Sequence, residues 1–189
     1  MADHIIDTNV LLVASAQDPT SPFKDSHHVP AEQKLIVLDW LMDFRKDSQC
    51  KVVLDPYHKH GIWVEYNRQM TGQDIGLLVV TEKLQFARFV HIAFDRNGHG
   101  LLPDELEDVD RSDRKFVALA LKDLADGGSS TIVIACDRGW YNCEEALEQV
   151  GVVVLQLIED WSRQEWKEKR KQKSKPAGRQ SVRSRKKPT

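Results

Sequence analysis

His4-Ile5-Ile6-Asp7-Thr8-Asn9-Val10-Leu11-Leu12 is the stretch from which the rest of the chain is read. Ile5 and Ile6 have the character of the end of a short buried strand, and Asp7 stands where that strand stops. Val10 to Ala16 then predicts a helix running back. In an open parallel sheet, chemistry gathers at the carboxyl ends of the strands, so Asp7 is placed where a site would be. A structural role accounts for the same residue, because Asp is a favoured N-cap. Recurrence favours the site. Lys51-Val52-Val53-Leu54-Asp55 and Thr131-Ile132-Val133-Ile134-Ala135-Cys136-Asp137 also run apolar into an aspartate.

Between these strands the pattern is helical. Leu35, Val37, Leu38, Leu41 and Phe44 predict a helix from Pro30 to about Ser48, after a loop over 17–29. Pro56 suits a first helical turn, and a helix carrying Ile62, Tyr66 and Met70 is expected to stop at Gly72. Further helices are expected over 74–88, 112–123, from Asn142 to Gly151, and from Ile158 through Trp161 and Trp166. Val90 to Phe94 and Val152 to Leu155 complete a set of about five strands. Strands that alternate with helices and run apolar throughout imply an α/β fold, a parallel sheet covered on both faces.

A chain of 189 residues, 41% of them hydrophobic, suits one domain plus an appendage. No apolar run approaches the ~20 residues needed to span a bilayer, and the N-terminus lacks the pattern of a secretory signal. A cytoplasmic protein without membrane contact is expected. Cys50, Cys136 and Cys143 form no C-x-x-C pair, which suggests free thiols. The net charge of −2 conceals an asymmetry. Eleven of the 27 Lys and Arg but one of the 29 acids lie in 167–189, so that segment carries +10 and residues 1–166 carry −12. The boundary is therefore drawn between a globular domain over 1–166 and a basic, disordered tail over 167–189.

Four segments together, IIDTNVLL at 5–12, WVEYNRQM at 63–70, DRSDRKFVALA at 110–120 and VIACDRGW at 133–140, resemble the PIN-domain nuclease family in order and spacing. The resemblance covers about residues 3 to 157. It implies a three-layer α/β/α sandwich around a central parallel sheet, and a metal-dependent endonuclease hydrolysing the phosphodiester bonds of RNA. It places the catalytic and metal-binding acids at Asp7, Glu65, Asp113 and Asp137, with Asn9 in support. Asp55 is the substitute for Glu65, and Asp110 is read as the cap before Asp113. Ala135 departs from the family, many of whose members carry a hydroxyl two residues before the last aspartate.

Clustered carboxylates repel one another unless a cation joins them, and hard oxygens select Mg²⁺ or Mn²⁺. Such an ion polarises a phosphate and activates a water. The implied partners are RNA, a protein inhibitor as in the toxin–antitoxin branch, and a second copy of the chain. In the tail, Lys169, Arg170, Lys171, Lys173, Lys175, Arg183 and Arg185 would add a salt-sensitive grip on phosphates. The rival readings are an inactive scaffold of the same fold, binding nucleic acid or a protein, and a hydrolase of small phosphate esters. Other chemistries are disfavoured. Asp95 to Leu106 lacks the closing glutamate of a calcium loop, no Gly-rich loop follows the first strand, and Asn9 replaces the second acid of a haloacid-dehalogenase-type phosphatase.

Overall fold

A computed structural model describes residues 3–16, 28–55 and 58–173. It is a mixed α/β structure whose described residues form seven α-helices and five short strands. β1 (His4–Ile6), β4 (Thr131–Ile134) and β5 (Val153–Gln156) make a three-stranded parallel sheet in the order β1-β4-β5. β2 (Val53–Leu54) and β3 (Arg88–Phe89) form a separate parallel pair. A single parallel bridge between His4 and Val52 joins the two ladders. The register sets Ile5 opposite Ile132 and Ile6 opposite Val133, all four fully buried. Asp7 leaves β1 beside the end of β4, its N–H donating to the Val133 carbonyl at 2.9 Å.

The helices are α1 (Thr8–Ser15), α2 (Ala31–Lys46), α3 (Ile62–Gln69), α4 (Ile75–Lys83), α5 (Arg114–Ala125), α6 (Glu144–Gln149) and α7 (Glu159–Lys173). α1, α2 and α4 pack against one another. Gly76 makes the α1–α4 approach possible, since a Cβ there would stand 2.8 Å from that of Leu11. The N–H of Gly76 also donates to the Ser15 hydroxyl at 3.0 Å. α5 packs on β1 and β4 through its buried Phe116, Val117, Leu119 and Ala120. No helix among the described residues is long and apolar enough to cross a membrane.

Several expected elements differ. The third strand forms at 88–89 and not over 90–94, because β2 ends at Leu54 and the ladder stops once Val90 N–H reaches the Leu54 carbonyl. Residues 93–101 pair among themselves instead, through a Phe94–Gly100 bridge and the Leu101 N–H to Ala93 bond. Asp95 organises that turn by accepting from the N–H groups of Asn97 and His99, as a turn and not a calcium loop. α3 begins only after Gly61, and α4 stops at Lys83, handing over to a 3-10 turn at Leu84–Phe86. α7 carries helix through Lys173, past the boundary expected at 166/167. Most of the loop expected at 17–29, and the basic segment from 174 onward, lie outside the described residues.

Candidate metal centre

Three of the predicted acids meet. Asp7, Asp113 and Asp137 each offer a carboxylate oxygen, and these oxygens lie within 4.8 Å of one another, so the group could hold a metal ion. Two of the three come from adjacent parallel strands, Asp7 directly after β1 and Asp137 three residues after β4. The third precedes α5, the helix packed on both strands. The side chains are ordered by their surroundings. Asp7 Oδ1 accepts the Asn9 N–H at 2.9 Å and thereby caps α1. Asp7 Oδ2 is buried and has no hydrogen-bond partner. Capping and site thus divide one carboxylate between its two oxygens.

Asp137 Oδ1 accepts the Gly139 N–H at 2.7 Å. A Cβ on Gly139 would stand 3.2 Å from that oxygen and 4.0 Å from Asp113 Oδ2, so the bare glycine keeps the centre open. Asp113 occupies the N-cap position of α5 but makes no side-chain cap bond, and its Oδ1 accepts the Ser112 hydroxyl at 3.2 Å. Asp110 supplies the turn before it. Its Oδ1 accepts both the N–H and the hydroxyl of Ser112, and its carbonyl accepts the N–H groups of Asp113 and Arg114. The Ser112 hydroxyl holds the Asp110 carboxyl below its usual value.

The electrostatics are those of a site short of positive charge. Burial first, and then the charges of Asp137 and Glu65, push the Asp7 carboxyl up to about 7, against the pull of the Asn9 N–H. The Trp140 indole pulls the same way and least of the named causes, and its buried Nε1 makes no hydrogen bond. Burial, then Asp7 and Asp137, push Asp113 up to about 8. Both acids therefore retain protons into the neutral range when no cation is present. Burial and the same acids push the Cys136 thiol up to about 12, so it stays protonated in the neutral range when no cation is present.

The chain matches no family model, no curated protein and no solved structure. The site is therefore judged on its own chemistry. Glu65 stands near Asp7 electrostatically but outside the three-acid group. Its Oε1 accepts the Thr8 hydroxyl at 2.5 Å, and its Oε2 takes the ammonium of Lys115. Asp55 is buried yet also stays out of the group. Asn9 contributes its backbone N–H to Asp7.

Sequence reasoning overlooked Thr8, Lys115, Gly139 and Trp140. Lys115 carried a readable signal: a lysine followed by Phe116 and Val117 in the first turn of a helix whose apolar face it shares. Of the basic residues, Lys169, Arg170 and Lys171 are exposed on α7, where Arg170 lies over the Trp166 ring at 4.7 Å. The Lys173 side chain, Lys175, Arg183 and Arg185 lie outside the described residues. A cleft of about 350 Å³ between β5, α6 and α7 contains none of the three aspartates.

Proposed function

We propose that the chain is a PIN-like, Mg²⁺- or Mn²⁺-dependent endonuclease acting on RNA. The observation that carries this reading is the unpartnered, buried Asp7 Oδ2 in a group of three carboxylates, two beyond strand ends and one at the start of α5. A buried anion with a free oxygen is costly alone and favourable beside a cation. The donor set is all oxygen, which fits Mg²⁺ or Mn²⁺ and not a thiolate-seeking metal. The fold supports the same reading. With the His4–Val52 bridge counted, the strands run β3-β2-β1-β4-β5, all parallel, as the central sheet of a sandwich would.

Bound in this group, the ion would supply polarisation of a phosphate oxygen and a water of lowered pKa. The chain's own residues prepare that step. Asp7 and Asp113 release their protons as the ion binds, so affinity rises with pH through the neutral range. The Gly139 N–H fixes the rotation of Asp137, and the Asn9 N–H fixes that of Asp7. Trp140 is buried close to Asp7 and adds apolar surface beside it. The exposed Lys169, Arg170 and Lys171 add attraction for the phosphate backbone without choosing sequence.

The test is incubation with mixed RNA and single-stranded DNA in Mg²⁺, Mn²⁺ or EDTA. Internal cleavage of RNA with metal and none in EDTA is the expected result. Cleavage at the parent rate by both Asp7→Asn and Asp137→Asn would overturn the catalytic reading. RNA binding without turnover in either metal would favour the inactive scaffold, a reading to which the engaged Glu65 lends weight.

A further inference from the structure

We infer that Lys115 occupies the place of a second cation, so that the centre takes a single divalent ion and Glu65 is held off it. This rests on the metal-binding reading above and adds the number of ions and the identity of their ligands. Both oxygens of Glu65 are engaged, Oε1 by the Thr8 hydroxyl and Oε2 by the Lys115 ammonium. The pair is nearly enclosed, with side-chain exposures of 16% for Glu65 and 11% for Lys115. An ammonium fixed on a carboxylate in a closed space excludes a divalent ion from that oxygen by charge and by volume.

The position of Lys115 argues that it is kept for this contact. It is the second residue of α5. A cation in the first turn of a helix opposes the helix dipole, and burying a lysine adds a desolvation cost. Local preference would place an acid or a neutral residue there. Besides the Phe116 ring 5.4 Å from its ammonium, Lys115 has its hydrogen-bonded counter-charge in Glu65, on a different helix and 50 residues away in sequence. Thr8, which follows the metal-group residue Asp7, holds the other oxygen of the same carboxylate. The contact therefore ties α3 and α5 to the end of β1 beside the three aspartates. Four acids and one lysine leave a formal charge of −3 at full ionisation. One divalent ion brings that charge to −1 and a second would bring it to +1, so the limit to one ion rests on Lys115 occupying the Glu65 oxygen and not on the charge total.

Titration of the full chain with Mn²⁺ at pH 8, read by calorimetry and by the electron paramagnetic resonance signal of free Mn²⁺, tests this without any turnover. The parent is expected to bind one ion, and Lys115→Met two, because the released Glu65 becomes a ligand. Lys115→Met combined with Glu65→Gln is expected to return to one. The single variant Glu65→Gln keeps the shape of the side chain and is the safeguard should Lys115→Met not fold. It is expected to change Mn²⁺ affinity by no more than about threefold, whereas loss of a carboxylate that matters to the ion costs about tenfold or more. Two ions in the parent, one ion in folded Lys115→Met, two in the double variant, or a tenfold weaker Glu65→Gln would each overturn the inference. No ion in the parent would overturn the metal centre itself along with it. One ion in the parent with a tenfold loss in Glu65→Gln would overturn only the role given to Lys115.

Discussion

Replacing Asp7 by Asn should stabilise the metal-free protein while depriving it of the response to metal, and the magnitude follows from the burial of the carboxylate. Asp7 is 2% exposed, and its carboxyl is raised from 3.8 to about 7. A raised acid binds its proton in the native state at a pH where the unfolded chain has lost it. Its favourable contribution is therefore complete below about pH 4 and is lost as pH rises to about 7. About three pKa units at about 1.4 kcal/mol each put the cost of holding ionised Asp7 at about 4 kcal/mol by pH 8. Asn keeps the oxygen that accepts the Asn9 N–H and removes the charge. In EDTA at pH 8, Asp7→Asn should melt on the order of 10 °C above the parent, taking about 2–4 °C per kcal/mol for a chain of this size. At pH 5 the gap should shrink to less than half, since native Asp7 is then protonated.

Millimolar Mn²⁺ should work in the opposite sense. Ion binding at a hundred times its Kd adds about 2.7 kcal/mol to the parent and far less to the variant, so the two melting temperatures should converge. Differential scanning fluorimetry in EDTA and in Mn²⁺, at pH 5 and pH 8, gives all four values. A variant less stable than the parent in EDTA at pH 8, or an equal Mn²⁺ shift in both proteins, would refute the reasoning.

Asp113→Asn and Asp137→Asn should each lower RNA cleavage by at least about a hundredfold, and Asp55→Asn, outside the acidic group, should leave the rate per folded molecule close to that of the parent. Removing residues 174–189, which hold six Lys and Arg, should weaken RNA binding at low salt and flatten the plot of log affinity against log salt by up to about four. Cut positions on sequenced products should not change, and new positions would mean that the segment selects sequence. Tyr66→Phe removes the hydroxyl that donates to the Ile6 carbonyl in the core, and should cost about 1–3 kcal/mol in urea denaturation by orphaning that carbonyl.

What was legible in the sequence was legible for a reason. β1 and β4 are buried beyond their first residues, so they run apolar without alternation and stop at a polar residue where the sheet ends. Asp7 and Asp137 inherit their positions from that backbone, and the Ile6–Val133 register brings them together. Asp113 was readable as a helix start. The third strand was misplaced because Val90 to Phe94 is apolar enough for a strand, while pairing is decided by its neighbour. β2 supplies only two ladder residues, and no local pattern records that. The length of α7 was missed for a related reason. Lys and Arg are good helix formers, so a segment too polar to pack a core can still continue a helix already started by Trp161 and buried Ser162.

Glu65 shows where such reading stops and why. An acid at a strand end has its direction set by the backbone, so a family resemblance can transfer its role with its position. Glu65 stands on α3, and α3 is placed by the Tyr66 hydroxyl on the Ile6 carbonyl, one residue before Asp7. That anchor brings the carboxylate into the field of Asp7 but leaves a longer side chain to choose its partner. With Lys115 within reach, the choice falls on an ammonium, and the same glutamate that a four-acid pattern makes a ligand becomes half of an ion pair. A leucine or methionine at 115 would leave the pattern of acids unchanged and alter the charge they share. The number of ions inferred for this centre therefore turns on a residue that the pattern of acids does not contain.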